Sequence, residues 1–396
     1  MRGGGGDLER KLFFSWLQPV VRLILLPTSA GYPRSFYFYL GSGKSMVWSF
    51  QKQTLSYIFR GILTFGSRSR HQISTMATAA ALAVAAAGTS QCKVVLAGTV
   101  AKSLLDEVQI TLKTLQRKPK LVGFLANDDP ASRTYAEWTG KSCKQHGFDF
   151  ELRQVDKDEL EEAVIAANED NAVDGGIIYF PVFGTNQDQY LQQILDMSKD
   201  VEGLSHKYMF NMYQNIRFLD EAKTQKSILP CTPLAIIKIL EYIGVYNKII
   251  PYGNRLFGRT IAVVNRSEVV GRPLAALLAN DGASVYSVDI NNIQHFTRGE
   301  GVKMHRHHAV DTDFKVEDVI PKCDVVITGV PSKAYKFPIE LLKDGAICIN
   351  FSSGDNFGPG VMDKASIYVP AIGKVTIAIL FRNLVRLCQN REGKSA

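Results

Sequence analysis

The sequence predicts an α/β protein of two domains with a cleft between them, and three observations carry that prediction. Strand-like apolar runs alternate with helical periodicity from residue 92 onwards. One stretch, Arg259 to Asp289, reads as a complete β-α-β unit. The chain of 396 residues is also longer than one hydrophobic core usually organises.

Residues 1–91 differ in kind from the rest. They hold ten of the 46 Lys and Arg but two of the 38 acids (Asp7 and Glu9), so the remainder carries 36 of each and the formal charge of +8 resides in this extension. A neutral body has no phosphate-backbone footprint, and nucleic acid is excluded as a partner. The apolar piece Leu12 to Leu26 is broken by Pro19 and Arg22. It is too short to span a bilayer of about 30 Å, so no membrane partner is expected. Two readings of the extension stand. An acid-poor, Arg- and Ser-bearing leader is what a mitochondrial transit peptide looks like. Alternatively Met76 is the true start, and the extension is disordered or missing from the mature protein. The lack of sustained helical amphipathicity favours the second reading, and with it a cytoplasmic location.

Six cysteines occur without a C-x-x-C pair or zinc-like spacing, as expected of a reducing compartment. From Cys92 the elements follow in order. A short strand is expected at 93–97 (KVVLA), then a helix over Ser103–Gln116 with Leu104, Leu105, Val108, Leu112 and Leu115 on one face. Lys120–Leu125 reads as a strand, and the loop from Asn127 caps a helix that ends at Gly147. Strands at 148–154 and 175–180 flank a helix over 157–168.

The β-α-β unit follows. Thr260–Val264 (TIAVV) is an apolar, β-branched run of the kind buried in a parallel sheet. Residues 265–271 turn the chain, Pro273 sits in a first helical turn, and Leu274, Leu277 and Leu278 form one apolar face. Gly282 stops the helix, and Ser284–Val288 (SVYSV) is the second strand, with Asp289 at its end. An acid 18 residues beyond Gly271 lies where a dinucleotide fold receives the adenosine ribose hydroxyls, and its charge repels a 2′-phosphate. The cofactor implied is NAD. The turn has one glycine where G-x-G-x-x-G has three, so on these residues alone an ordinary crossover, with Asp289 a solvated strand end, stands beside nucleotide binding.

Six blocks in fixed order carry a resemblance: PASRTY (130–135), VDGGIIYFP (173–181), KDVEG (199–203), LPCTP (229–233), RSEVVGRP (266–273) and GKVTIAIL (373–380). They resemble the methylenetetrahydrofolate dehydrogenase/cyclohydrolase family over essentially all of 92–396, and within it the monofunctional, NAD-dependent fungal type. The resemblance implies a folate-binding α/β domain of residues 92–231 plus 372–396, a Rossmann-like NAD domain of residues 232–371, and a site in the cleft between them. It implies oxidation of 5,10-methylenetetrahydrofolate to 5,10-methenyltetrahydrofolate, and a homodimer.

The departures from the family concern one activity. Bifunctional members have a lysine four residues after the tyrosine of the first block, and that lysine drives the cyclohydrolase step. Here Tyr135 plus four is Thr139, and the family's tuning glutamine is Tyr179. Lys141 and Lys144 lie on other helix faces. Hydride transfer needs neither group, whereas adding water to the methenyl carbon is acid-base work. Cyclohydrolase activity is therefore not expected. A bifunctional enzyme with another base, and a non-catalytic folate- or NAD-binding protein, are the rivals.

By this resemblance Tyr135, Thr139 and Tyr179 are the catalytic positions, and Ser132, Tyr135, Pro181, Asp200, Glu202 and Cys231 the substrate contacts. Tyr135 can stack on the aminobenzoate, with a core tyrosine as its alternative. Asp200 and Glu202 can accept pterin N–H groups; solvated loop acids are theirs. Pro230, Cys231 and Thr232 line the cleft or form a plain interdomain turn. Cofactor contacts fall on Thr232, Arg266, Ser267, Gly271 and Arg272, on Asp289, on Gly329, Val330 and Pro331 after the strand CDVVIT, and on Gly373 and Thr376 at the last helix. Arg266 is ambiguous, because an arginine here also suits a 2′-phosphate. His305, Arg306, His307 and His308 invite a metal reading, but without a carboxylate at useful spacing a solvated loop is expected, and no metal.

Overall fold

A computed structural model of the protein describes residues 92–299 and 306–393, with three short strands nearer the N terminus. Those strands, β1 (Val21–Ile24), β2 (Phe36–Leu40) and β3 (Lys44–Trp48), form an antiparallel sheet in sequential order. They belong to a unit, Met1–Thr89, separate from Ser90–Ala396. The expectation for residues 1–91 otherwise lies outside the described residues.

The unit Ser90–Ala396 is built on two sheets. It opens with β4 (Lys93–Val94) and helix α1 (Ala97–Leu112). The smaller sheet follows, with β5 (Lys120–Leu125), α2 (Pro130–His146), β6 (Asp149–Gln154), α3 (Leu160–Glu169) and β7 (Gly175–Ile178). Its strands are parallel in the order β6-β5-β7. Helices α4 (Asn186–Ile194), α5 (His206–Tyr213) and α6 (Cys231–Tyr242) lead to the second half.

There β8 (Thr260–Val264), α7 (Gly271–Asn280) and β9 (Ser284–Val288) form the expected β-α-β unit, residue for residue in both strands. All of Leu274, Leu277 and Leu278 are buried, and Gly282 turns the chain at φ +99°. Strands β10 (Ile293–Thr297) and β11 (His308–Thr312) then extend the sheet antiparallel. After the short helix α8 (Val316–Val319) come β12 (Val325–Thr328), β13 (Ile347–Asn350), the short helix α9 (Val361–Lys364), β14 (Ile367–Val369) and the final helix α10 (Gly373–Arg391).

The larger sheet runs β11-β10-β9-β8-β12-β13-β14-β4. From β8 the chain moves outward to β9 and later returns to β8's other side at β12, so the order reverses between β8 and β12. The crevice at the carboxyl ends there is where open α/β sheets take ligands.

Two sequence expectations are corrected. The first strand does not open the folate half. It is only Lys93–Val94, and it completes the nucleotide sheet beside β14, held by Lys93 N–H to the Ser366 carbonyl and Val95 N–H to the Tyr368 carbonyl, both 2.9 Å. Helix α1 starts at Ala97, six residues before the expected Ser103, because burial of Val100 and Ala101 outweighs the weak helix propensity of Gly98 and Thr99. The final helix ties the halves together. It packs on α1 and α6, and Phe381 stacks on Phe148 at the entry to β6, with centroids 4.6 Å apart.

Candidate active site

The folate side is built from the loop into α2. Asp129 caps the helix, accepting from the Ser132 N–H at 2.9 Å and its hydroxyl at 3.0 Å, while Pro130 takes the first turn. One helical turn apart, Tyr135 and Thr139 then share a face, and the Thr139 hydroxyl donates to the Tyr135 carbonyl at 2.8 Å. Tyr179 leaves β7 toward them. Its ring meets that of Tyr135 edge-on at 5.9 Å and 82°. Gly123 in β5 opens the slot, since a Cβ there would lie 2.9 Å from Tyr179 Cε2. The Tyr179 hydroxyl is buried and faces the Thr139 hydroxyl.

Two expected substrate contacts turn out to hold the frame. The Ser132 hydroxyl is engaged by Asp129 and reaches the Phe180 carbonyl at 3.4 Å. Pro181 follows a cis peptide whose neighbouring carbonyls, those of Tyr179 and Pro181, both accept from Asn127 Nδ2, at 2.7 and 2.8 Å.

The two acids part company. Asp200 is buried, and its carboxylate accepts the backbone N–H groups of Glu202, Gly203 and Ser205 at 3.1, 2.8 and 2.7 Å. The expectation that it receives pterin N–H groups is corrected: its oxygens fold the loop. Glu202 is the acid left for a ligand. Burial, with Asp200 beside it, pushes its carboxyl up to about 8, against one N–H from Ile178. Burial, and then Cys231, Glu202 and Tyr179, push the Tyr135 phenol well up. Burial also raises the Cys231 thiol, which donates to the Val201 carbonyl at 3.3 Å.

At neutral pH the cluster is therefore a set of uncharged groups. The nearby lysine of the KDVEG block, Lys199, is buried elsewhere, capping α3 through the carbonyls of Ala167, Asn168 and Asp170 at 2.8, 2.8 and 2.7 Å. Sequence reasoning missed Asn383 on α10. Its Nδ2 donates to the Val201 and Leu229 carbonyls at 2.9 and 3.1 Å and fixes the Glu202 and Cys231 loops against each other. No local pattern marks such a residue.

On the nucleotide side, the turn after β8 is drawn against the end of β12. Asn265 Nδ2 donates to the Gly329 carbonyl at 2.9 Å, and Gly329 N–H to the Val264 carbonyl at 3.1 Å. Ser267 accepts from the N–H groups of Val270 and Gly271 at 3.3 and 3.4 Å, where α7 begins. A Cβ on Gly271 would fall 1.9 Å from the Asn265 carbonyl oxygen, and one on Gly329 1.9 Å from the Phe351 ring. Only glycine therefore fits at both positions of this tight crossing, which leaves the start of α7 at the crevice where a pyrophosphate would lie. Val330 is locked to Asn356 and Ser352, and Pro331 is exposed at the crevice. Gly373 opens α10 with nothing within 4 Å of a Cβ, Thr376 is buried a turn later, and Thr232 stands half-buried at the start of α6. These features fit a dinucleotide.

Arg266 does not face the pyrophosphate turn as expected. Its guanidinium lies over the end of β9, donating to the Ser287 hydroxyl (3.2 Å) and carbonyl (2.6 Å) and to the Asn292 side chain (2.5 Å) and carbonyl (2.9 Å). Asp289 is exposed beside it. Arg272 pairs with Glu268 at 2.8 Å and lies over the Tyr213 ring. The histidine cluster is not simply a solvated loop. His307 is half-buried and stacked flat on Phe296 at 5.6 Å, and burial lowers its pKa to about 4. Arg306 donates to Gln214; His305 lies outside the described residues. Among the described residues no three side chains are grouped to hold a metal.

Family models match in two segments: tetrahydrofolate dehydrogenase/cyclohydrolase, catalytic domain, over residues 95–202, and its NAD(P)-binding domain over 230–392. The methylenetetrahydrofolate dehydrogenase (NAD(+)) of Schizosaccharomyces pombe is 62% identical over 75% of this chain and 93% of its own. This chain belongs to the tetrahydrofolate dehydrogenase/cyclohydrolase family. The Dictyostelium discoideum methylenetetrahydrofolate dehydrogenase (NAD(+)) is 46% identical over 74% of this chain and 93% of its own. The solved NAD-dependent 5,10-methylenetetrahydrofolate dehydrogenase from Saccharomyces cerevisiae is 55% identical, covers 76% of this chain and 98% of its own, and superposes with a TM-score of 0.72. The family's catalytic segment ends at Glu202, the one acid of its loop left for a ligand, and its NAD(P)-binding segment begins at Pro230, before the α6 turn that carries Cys231 and Thr232.

Proposed function

We propose that this chain oxidises 5,10-methylenetetrahydrofolate to 5,10-methenyltetrahydrofolate with NAD and leaves the product unhydrolysed. The observation that carries the reading is Thr139, a buried hydroxyl bonded to the Tyr135 carbonyl where a general acid-base group would have to stand. Bound NAD supplies the hydride acceptor. The chain's own residues position and shield. The Tyr135 ring offers a face to the aminobenzoate, held in orientation by Tyr179. Glu202, neutral near pH 7, holds a hydrogen-bonding edge toward the pterin. The N10 lone pair of the substrate stabilises the cation that forms, so no protein group has to move a proton. Alignment and water exclusion are what remain for catalysis, and these are worth about 7–11 kcal/mol in favourable systems.

Purified protein given 5,10-methylenetetrahydrofolate should build up methenyl absorbance with NAD, far less with NADP, and that absorbance should decay at the buffer rate. Enzyme-dependent decay would sink the monofunctional reading.

The protein is proposed to act as a homodimer in the cytoplasm. The exposed edge strand β11, with Val310 61% exposed, offers a sheet edge for pairing. For location, the S. pombe and D. discoideum relatives align over 93% of their own lengths with about three quarters of this chain. Light scattering at monomer mass, or import of the full chain into isolated mitochondria, would overturn these two readings respectively.

A further inference from the structure

A cavity of about 500 Å³ is lined by Leu229 and by the bridging Asn383, and by none of the residues assigned above to the substrate or cofactor. That volume lies within the usual range for small-molecule sites, about 300–1,000 Å³. Its walls combine apolar and aromatic surface, from Leu229, Leu234, Ile237 and Tyr246, with six Lys or Arg and two acids. Both acids are taken: Asp281 by Arg217 at 3.3 Å and Glu241 by Lys238 at 2.7 Å. The lining therefore carries an excess of positive charge. Arg382 pairs with Glu107 at 3.4 Å, and Arg255 lies over the Tyr252 ring with its Nε buried and lacking a hydrogen-bond partner. The pKa of the Lys226 ammonium, on a side chain exposed as a whole, is lowered by partial desolvation and then by the neighbouring cations Arg386 and Arg382, which Glu107 offsets in part. Like charges crowded at a half-dry surface repel, and an anion among them relieves both the repulsion and the orphaned donor.

We propose that this cavity is a second ligand site, taking a small organic anion with a flat apolar body, and that its occupant acts on the folate cleft through Asn383. The aromatic and aliphatic walls accept the body, and the cations accept a carboxylate or phosphate. The route to the cleft is short. One stripe of α6 runs from Cys231 to the cavity-lining Leu234, Lys238 and Glu241, and Asn383 lines the cavity while its Nδ2 holds the Val201 and Leu229 carbonyls.

Isothermal titration of the full-length protein, with NAD and tetrahydrofolate both saturating to fill the cleft, tests the site. The probes are 1-naphthoate, 1-naphthyl phosphate and the neutral 1-naphthalenemethanol, which share a ring system and differ in the anion. At least one anion should bind one per chain, tenfold or more tighter than the alcohol, and the better of the two identifies the favoured acid group. Lys226→Glu, a change at an exposed side chain, should weaken the anion at least tenfold while kcat/KM without it stays within twofold of wild type. Ile237→Trp, which fills the cavity, should abolish binding. Anions no tighter than the alcohol, or a Lys226→Glu protein that binds as wild type does, would overturn the site. The bound anion should shift KM for the folate at least twofold, and an unchanged KM would overturn the link through Asn383.

Discussion

The ring of Tyr135 stands edge-on to that of Tyr179, centroids 5.9 Å apart, and the pair closes over Thr139, which is fully buried. Nothing in this corner can carry a charge cheaply. Tyr135→Ala should cut dehydrogenase kcat/KM about tenfold, or about 1.4 kcal/mol, through loss of stacking. Thr139→Lys should lower the melting temperature, because an unpaired buried charge costs about 3–5 kcal/mol. It should not quicken decay of added methenyltetrahydrofolate. Restored hydrolysis in that single variant would show that Tyr179 is no obstacle.

Glu202 ties stability to pH. The folded protein keeps its proton up to about 8, whereas the unfolded chain releases it near the ordinary 4.5. Between those values the unfolded state binds fewer protons, so stability falls as pH rises through the window, and the loss is complete above it. Glu202→Gln should flatten that slope in urea titrations across the range. It should also make KM for the folate insensitive to pH near 8. A variant that keeps the wild-type slope in both measurements would place the titration elsewhere.

The elements that the sequence displays best are those stabilised by their own pattern. TIAVV and SVYSV become β8 and β9 without error because both are buried in a parallel sheet, where apolar β-branched runs have no other good place. Position 139 was equally legible, since one helical turn fixes its relation to Tyr135. What the sequence hid depends on distant partners. Asp200 and Glu202 look alike in KDVEG, and only the loop's N–H groups separate a frame acid from a free one. Arg266 reads as a phosphate ligand until Ser287 and Asn292 engage it. Lys93–Val94 joins a sheet whose other strands begin more than 160 residues later.

Two glycines at the cofactor crevice should behave differently. An added Cβ at Gly271 meets a backbone carbonyl, which cannot step aside as a side chain can. Gly271→Ala should therefore cost about 1–3 kcal/mol of stability and raise KM for NAD. At Gly373 a Cβ meets nothing within 4 Å, so Gly373→Ala should leave stability within about 0.5 kcal/mol. If that space belongs to the cofactor, KM for NAD should rise all the same. Melting curves and NAD kinetics on the two variants separate these effects, and an unchanged KM in Gly373→Ala would remove that residue from the cofactor site.

The choice of nucleotide rests on the end of β9. Asp289 is exposed there, so its charge meets whatever enters, and a 2′-phosphate is repelled. A free arginine beside it would offset that repulsion. Arg266 has little left to offer, because four of its donor contacts go to Ser287 and Asn292. NAD should therefore be preferred over NADP by at least about tenfold in kcat/KM, or about 1.4 kcal/mol. Asp289→Ser should narrow the gap by removing the repulsion, yet not reverse it, since no guanidinium is released to bind the phosphate. Steady-state kinetics with both nucleotides decide the matter. Equal use by the wild type would defeat the role of Asp289, and a reversal in Asp289→Ser would show that Arg266 can let go of β9.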